Sequence, residues 1–354
     1  MILNVPYNWD LNLLEALKPF QKDIGEFYAS FASSFCGSMR HPESVPQVDH
    51  AVAQEHIKAI HKLGASFSYV ANSLCLGNKE YFQKKELFDF FLSIQSMGAD
   101  CVVLSNPFLI DFSRKYFPDL KIKLSLVADV TSWQKLKFFI DKVDVVTIPD
   151  TINRDLKMLK RIVSTGKKVE ILLNNLCLLD CPLAVYHGCV LGHSSQEEGP
   201  TTKRFDDFSI MWCTSEKMKD PIEFIKSPWI RPEDVEKYED IGIHNFKISG
   251  REKKTEWIVQ RVKIYADRCY DGNLLDFLNP IFYGYPKYSP EIYIDNKKLE
   301  GFIDFFLEGR CEGDCPSCSH CMTFSQEALS LRGDLEGYKQ FLLEARNRVI
   351  EKNI

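Results

Sequence analysis

The chain has no apolar run near the ~20 residues needed to cross a bilayer, which excludes a helical membrane span. Its first residues, MILNVPYNWDLNLLEALK, carry acidic groups early and no long apolar core, unlike a secretory leader. The cytoplasm is the expected compartment. Catalytic signatures are equally scarce. No H-E-x-x-H motif occurs, and no Ser/His/Asp arrangement can be recognised. Basic runs and basic patches interleaved with aromatics are missing too, and the formal net charge is −5. That charge argues against a nucleic-acid coat, although it leaves room for a local basic groove.

What the sequence holds in quantity is cysteine. Four of its twelve cysteines fall within 177–213 and four within 311–321, leaving Cys36, Cys75, Cys101 and Cys269 scattered. Disulfides are rare in a reducing compartment, and clustering of this kind is what metal ligation requires. The apolar share of 45% and charged share of 26% are those of a globular protein with a full core. At 354 residues the chain makes one large domain or two ordinary ones.

Strand-like and helical patterns alternate. The strand-like runs are EFYASFASSF (26–35), SFSYVANS (66–73), CVVLSN (101–106), KIKLSLVADV (121–130), DVVTIPD (144–150), KVEILLNN (168–175), a short Pro228–Ile230 and NFKISG (245–250). Residues 1–25 read as a helical lead-in. Eight strand–helix units, with strands that read as apolar on both faces, predict an α/β fold. The expected form is a closed (β/α)8 TIM-like barrel, with a doubly wound open sheet as the alternative. The barrel would occupy 1–278, with a cysteine-rich insertion at 176–227 after the sixth strand. Residues 279–354 would form a cysteine-rich C-terminal extension closed by a polar helix at 334–351. Asn72, Asn106, Asp129, Asp150, Asn174 and Lys247 stand at or just past strand ends, where a barrel gathers its active site. Each alone is equally a helix cap or turn residue.

Two thiol groups carry the chemistry. Cys311, Cys315, Cys318 and Cys321 follow C-x3-C-x2-C-x2-C, so four thiolates can converge on one centre, either zinc or an iron–sulfur cluster. In the central group, Cys177 and Cys181 lie one turn apart and Cys213 joins them, with Cys189 or Cys36 as the fourth thiol. For Cys36 the plain alternative is a small buried hydrophobe. Asn174, Asn175 and His187 are candidate catalytic groups of the bowl, and His193 is a further loop histidine. Arg40, Lys247 and Arg251 stand where an anionic substrate or cofactor would be held, with surface solvation as the alternative.

NNLCLLDCP, a following His and later Cys, SPWIRPEDVEKYEDIGIHNFKISGR and ADRCYDGNLLDFL resemble the U-thirty-two peptidase superfamily, also called collagenase-like proteases, over most of residues 25–280. The resemblance implies a barrel with cysteines after the sixth strand and a [4Fe–4S] cluster held by Cys36, Cys177, Cys181 and Cys213. It also implies oxygen-independent hydroxylation, of a small organic molecule or an RNA base. The chain departs from those relatives in its shorter C-x3-C spacing and in its C-terminal thiol knot. The expected function is therefore an iron–sulfur oxidoreductase of the hydroxylase type, with a second cluster or zinc at the C-terminal cysteines. The alternatives are a peptidase with a structural metal, and a non-catalytic subunit that pairs with a homologue or a second copy of itself.

Overall fold

A computed structural model describes residues 1–199, 202–203, 207–284, 290–313 and 315–351. Eight parallel strands close a barrel in sequence order: β1 (Ile2–Pro6), β2 (Ile24–Ala29), β3 (Ser66–Ala71), β4 (Cys101–Leu104), β5 (Lys121–Leu124), β6 (Val145–Thr147), β7 (Lys168–Leu172) and β8 (Asn245–Lys247). β8 pairs back onto β1, so no sheet edge is left open. Helices run between successive strands and wrap the outside. Their starts are written locally. Asp49 accepts from the Val52 amide, Asp155 from Met158, and Asn106 from Phe108 and Leu109 just ahead of a proline in the first turn.

The barrel is the expected architecture, but one expected strand is lost and one unexpected strand takes its place in the count. Ile2–Pro6, inside the expected helical lead-in, is β1. Pro228–Ile230 is not a strand: Ile230 donates its amide to the Leu173 carbonyl, and Trp229 packs on Phe302 outside the barrel. The polar Asn4 and terminal Pro6 disguise β1, because they interrupt the apolar pattern on a run of five residues. The cysteine-rich insertion therefore follows the seventh strand rather than the sixth. Between β3 and β4 the chain forms two helices, Lys79–Phe82 and Lys84–Ser96, parted at Gln83.

The strands are not apolar on both faces either. Their outer faces join one large hydrophobic core with the helices. Their inner faces carry Asn4, Glu26, Lys123, Thr147, Glu170 and Lys247, all buried. Lys123 Nζ lies 2.5 Å from Glu26 Oε1 and 2.6 Å from Glu170 Oε2. Thr147 donates to Glu170 at 2.8 Å, Asn4 donates to it as well, and Lys247 Nζ stands 3.5 Å away. Two carboxylates thus face two ammonium groups, and this balance is what lets charge persist in a dry interior. Tyr28, Val70 and Val103 form a separate small apolar cluster.

Beyond the barrel, β9 (Glu291–Ile294) and β10 (Leu329–Arg332) pair antiparallel. Ile292, Ile294, Phe302, Tyr338 and Leu342 join the outer core of the barrel, and the helix Leu335–Glu351 packs on the helix Phe208–Lys219. Among the described residues, no helix is long and apolar enough to cross a membrane.

Candidate active site at the barrel mouth

β7 and β8 deliver the residues that the sequence singles out. Asn174, fully buried, accepts from the Ser249 amide at 2.7 Å and its hydroxyl at 3.0 Å, and donates to the Ser249 carbonyl at 3.2 Å. Those bonds occupy the whole carboxamide and staple the end of β7 to that of β8. Asn175 faces the other way. Its amide donates to Asp150, while its oxygen accepts from the Leu176 amide at 3.1 Å and lies 3.4 Å from Cys177 Sγ. Burial pushes the Asp150 carboxyl up, against the hydrogen bond from Asn175.

Cys177, Cys181 and Cys213 come together here. Desolvation raises all three thiols, Cys213 adds to the rise of Cys177 and Cys181, and Lys217 opposes it in each. Lys217 is 2% exposed and follows Cys213 by four residues on one helix, so both occupy the same face. Sequence reasoning missed it, although that spacing in FSIMWCTSEKMK is a readable signal. Three sulfurs beside one buried cation suit a thiophilic centre, whose bound thiolates are anionic.

Cys36 is placed differently. It has no exposed surface, belongs to the hydrophobic core, and the charges acting on it are Lys79, Glu80 and Glu197. Burial, and then neighbouring Cys75, push the Cys189 thiol up. Among the described residues, no group of three or more His, Cys, Asp or Glu side chains stands arranged to hold a metal ion.

The helix Ala184–Ser194 carries His187 and His193 and packs against the loop after β2. Ser38 donates its amide to Ser195 Oγ at 2.8 Å, and Ser195 Oγ lies 2.7 Å from the Ser38 carbonyl. Close approach requires the glycine at 192: a Cβ there would stand 2.9 Å from Ser73 Oγ. His187 is held to about 4 by burial and then by Arg40, so its ring is neutral at pH 7. His193 Nε2 is buried with no hydrogen-bond partner among the described residues.

Positive charge is concentrated on the β8 side. Arg251, 4% exposed, donates to Ser30 Oγ at 2.7 Å, and burial followed by Arg40 lowers it to about 10. Arg40 pairs with Glu252 at 2.9 Å, and Cys177 is among the groups acting on it. Burial works to raise the Glu252 carboxyl, yet Arg40 holds it down at about 2. Lys247 lies lower. Its Nζ is 4.0 Å from the centre of the Tyr28 ring and belongs to the interior network, with burial the main cause of its lowered pKa. The other strand-end polar residues are structural: Asn72 bridges the Met39 amide and Ser125, Asn106 caps a helix, and Asp129 pairs with exposed Lys135.

Residues 33–177 match the family model described as peptidase family U32. The uncharacterized protease MJ1657 of Methanocaldococcus jannaschii is 29% identical over 329 residues, spanning 91% of this chain and 94% of that protein. Over residues 33–177 the chain is thus similar to peptidase family U32. The solved structure of the U32 peptidase Mk0906 agrees in fold, with a TM-score of 0.52 at 15% identity over 71% of this chain and 93% of that one. A shorter similarity, 30% over 93 residues, links 26% of this chain to 20% of the tRNA hydroxylation protein P of Escherichia coli. The U32 match takes in Cys36 and ends on Cys177, so Cys181, Cys213 and the C-terminal thiols lie beyond it.

Proposed function

We propose that this protein is a U32 family member and an iron–sulfur enzyme that hydroxylates, or modifies in a related way, a small organic molecule or an RNA base without using molecular oxygen. One observation carries the reading: the thiols of Cys177, Cys181 and Cys213 all lie within electrostatic reach of buried Lys217 where the barrel opens. A [4Fe–4S] cluster on these thiols would supply an iron able to polarise an oxygen-bearing donor. Three thiols leave one position for a further ligand, whether Cys36, Cys189 or the donor itself. Around it the chain's own groups have distinct tasks. Arg40 and Arg251 attract an anionic group, neutral His187 accepts a proton, and Asn175 holds Asp150 beside Cys177. The similarity to a tRNA hydroxylation protein supports this class of chemistry.

The test is iron and acid-labile sulfide in anaerobically purified protein, repeated on Cys177→Ala and Cys213→Ala. Matching iron and sulfide that fall in both variants support the reading; iron-free wild type overturns it. The name of the archaeal relative favours a second reading, peptide hydrolysis. Iron-free protein that cleaves an unfolded polypeptide would establish that one. Iron-loaded protein that acts only when mixed with a homologous chain would make it a partner subunit.

A further inference from the structure

The C-terminal extension carries a site of its own, independent of what the barrel mouth binds. Cys311, Cys315, Cys318 and Cys321 all line one open cavity of about 980 Å³. His320 lies among them but is already engaged: its Nε2 is 2.9 Å from the Phe302 carbonyl, and its ring stacks on Phe305 with centroids 4.2 Å apart. The four thiols are the sulfur donors of this cavity.

The same aromatic wall holds a cation. The Arg154 guanidinium stands 4.7 Å from the Trp229 ring, 4.8 Å from Phe302 and 5.2 Å from Phe306. It donates to the main-chain carbonyls of Ile225, Lys226, Ser227 and Trp229, at 2.6 to 3.4 Å. Its Nε is sealed from solvent and has no hydrogen-bond partner among the described residues. No carboxylate within ion-pair distance of Arg154 occurs among the described residues, and the nearby Asp234 is spent on Arg231 at 2.9 Å. Cys321 and Cys311 are among the groups whose negative charge favours that cation. A largely desolvated guanidinium held by carbonyl dipoles and ring faces alone still carries an unbalanced charge, which an anion nearby would offset.

We infer that Cys311, Cys315, Cys318 and Cys321 form a tetrathiolate metal centre, and that Arg154 is the positioning cation that balances its negative charge. The charge argument is the same for both thiophilic occupants. Four thiolates around a zinc ion carry a net charge of about −2, as do four around an oxidised [4Fe–4S] core.

The experiment uses the full chain with Cys177 and Cys213 both replaced by Ala, so that metal at the barrel mouth does not register. Zinc, iron and acid-labile sulfide are measured after anaerobic purification. Either zinc alone or iron with matching sulfide is expected, lost on adding Cys315→Ser or Cys318→Ser. No metal, or unchanged metal in those variants, overturns the centre. Arg154 is tested by the rate at which a chelator strips the metal. Arg154→Gln should speed stripping on the order of tenfold, the effect of deleting one nearby charge, while Arg154→Lys should keep most of the protection. Equal acceleration in both, tracking a fall in the thermal stability of the metal-free chain, would make Arg154 a mere prop and overturn its assigned role. Should Arg154→Gln fail to fold, Arg154→Lys remains decisive: stripping as fast as from a disordered peptide of residues 305–325 overturns the charge assignment.

Discussion

Glu170 and Lys123, 47 residues apart in the chain, meet at 2.6 Å inside the barrel, Glu170 with no exposed surface and Lys123 with 1%. Burial opposes both charges, and each holds the other ionised: Lys123 keeps the Glu170 carboxyl well below the usual range, and Glu170 keeps the ammonium above its own. Lys123→Met leaves two carboxylates to share what remains of the network and should cost about 3–5 kcal/mol in a denaturant melt. The triple change Lys123→Met, Glu26→Gln, Glu170→Gln should cost less than the single one. A single variant as stable as wild type would show the network to be dispensable.

Acid sensitivity follows from Glu252. Its carboxyl sits at about 2 in the folded chain against an ordinary 4.5, held down by Arg40 against burial. A lowered folded value adds stability that is complete above the unfolded pKa and is lost as pH falls from about 4.5 toward 2. The amount is on the order of 2–3 kcal/mol. Urea melts at stepped pH should show that loss in wild type and a flatter curve in Arg40→Gln.

Asn174 stands at the mouth as a staple, not as a reagent. Asn174→Ala should lower stability by about 1–3 kcal/mol, because buried partners on Ser249 are left unpaired. Asn175→Ala should be milder on stability and heavier on iron retention, since Asn175 touches both Asp150 and Cys177. Melting and iron assays on the same two preparations compare them; the reverse order would exchange their roles.

Lys217 is the cation shared by the three mouth thiols. Lys217→Gln should release iron during anaerobic gel filtration, and Lys217→Arg should retain it. Equal retention in all three proteins would remove Lys217 from the site.

Six of the eight barrel strands are legible in the sequence between residues 24 and 172, because their outer faces must be apolar to meet the helices. The β8 run at 245–247 is legible for the same reason, and the thiol spacings and helix caps are local patterns that need no fold to be read. β1 is not legible. Ile2–Pro6 is a strand because the gap between β2 and β8 must be closed by backbone hydrogen bonds, and no property of five residues announces a pairing with β8, more than 200 positions away. The polar interior is hidden for a related reason: Glu26, Lys123, Glu170 and Lys247 resemble surface residues until the barrel closes and brings opposite charges together. The mouth divides in the same way. Composition and spacing determined that sulfur would gather there, whereas only the tertiary structure decided that Asn174 is consumed by Ser249, that Cys36 is buried among other neighbours, and that Lys217 faces the thiols. Local pattern follows from the chain's own short-range geometry; charge pairing and closure depend on contacts that exist only once distant segments share one space.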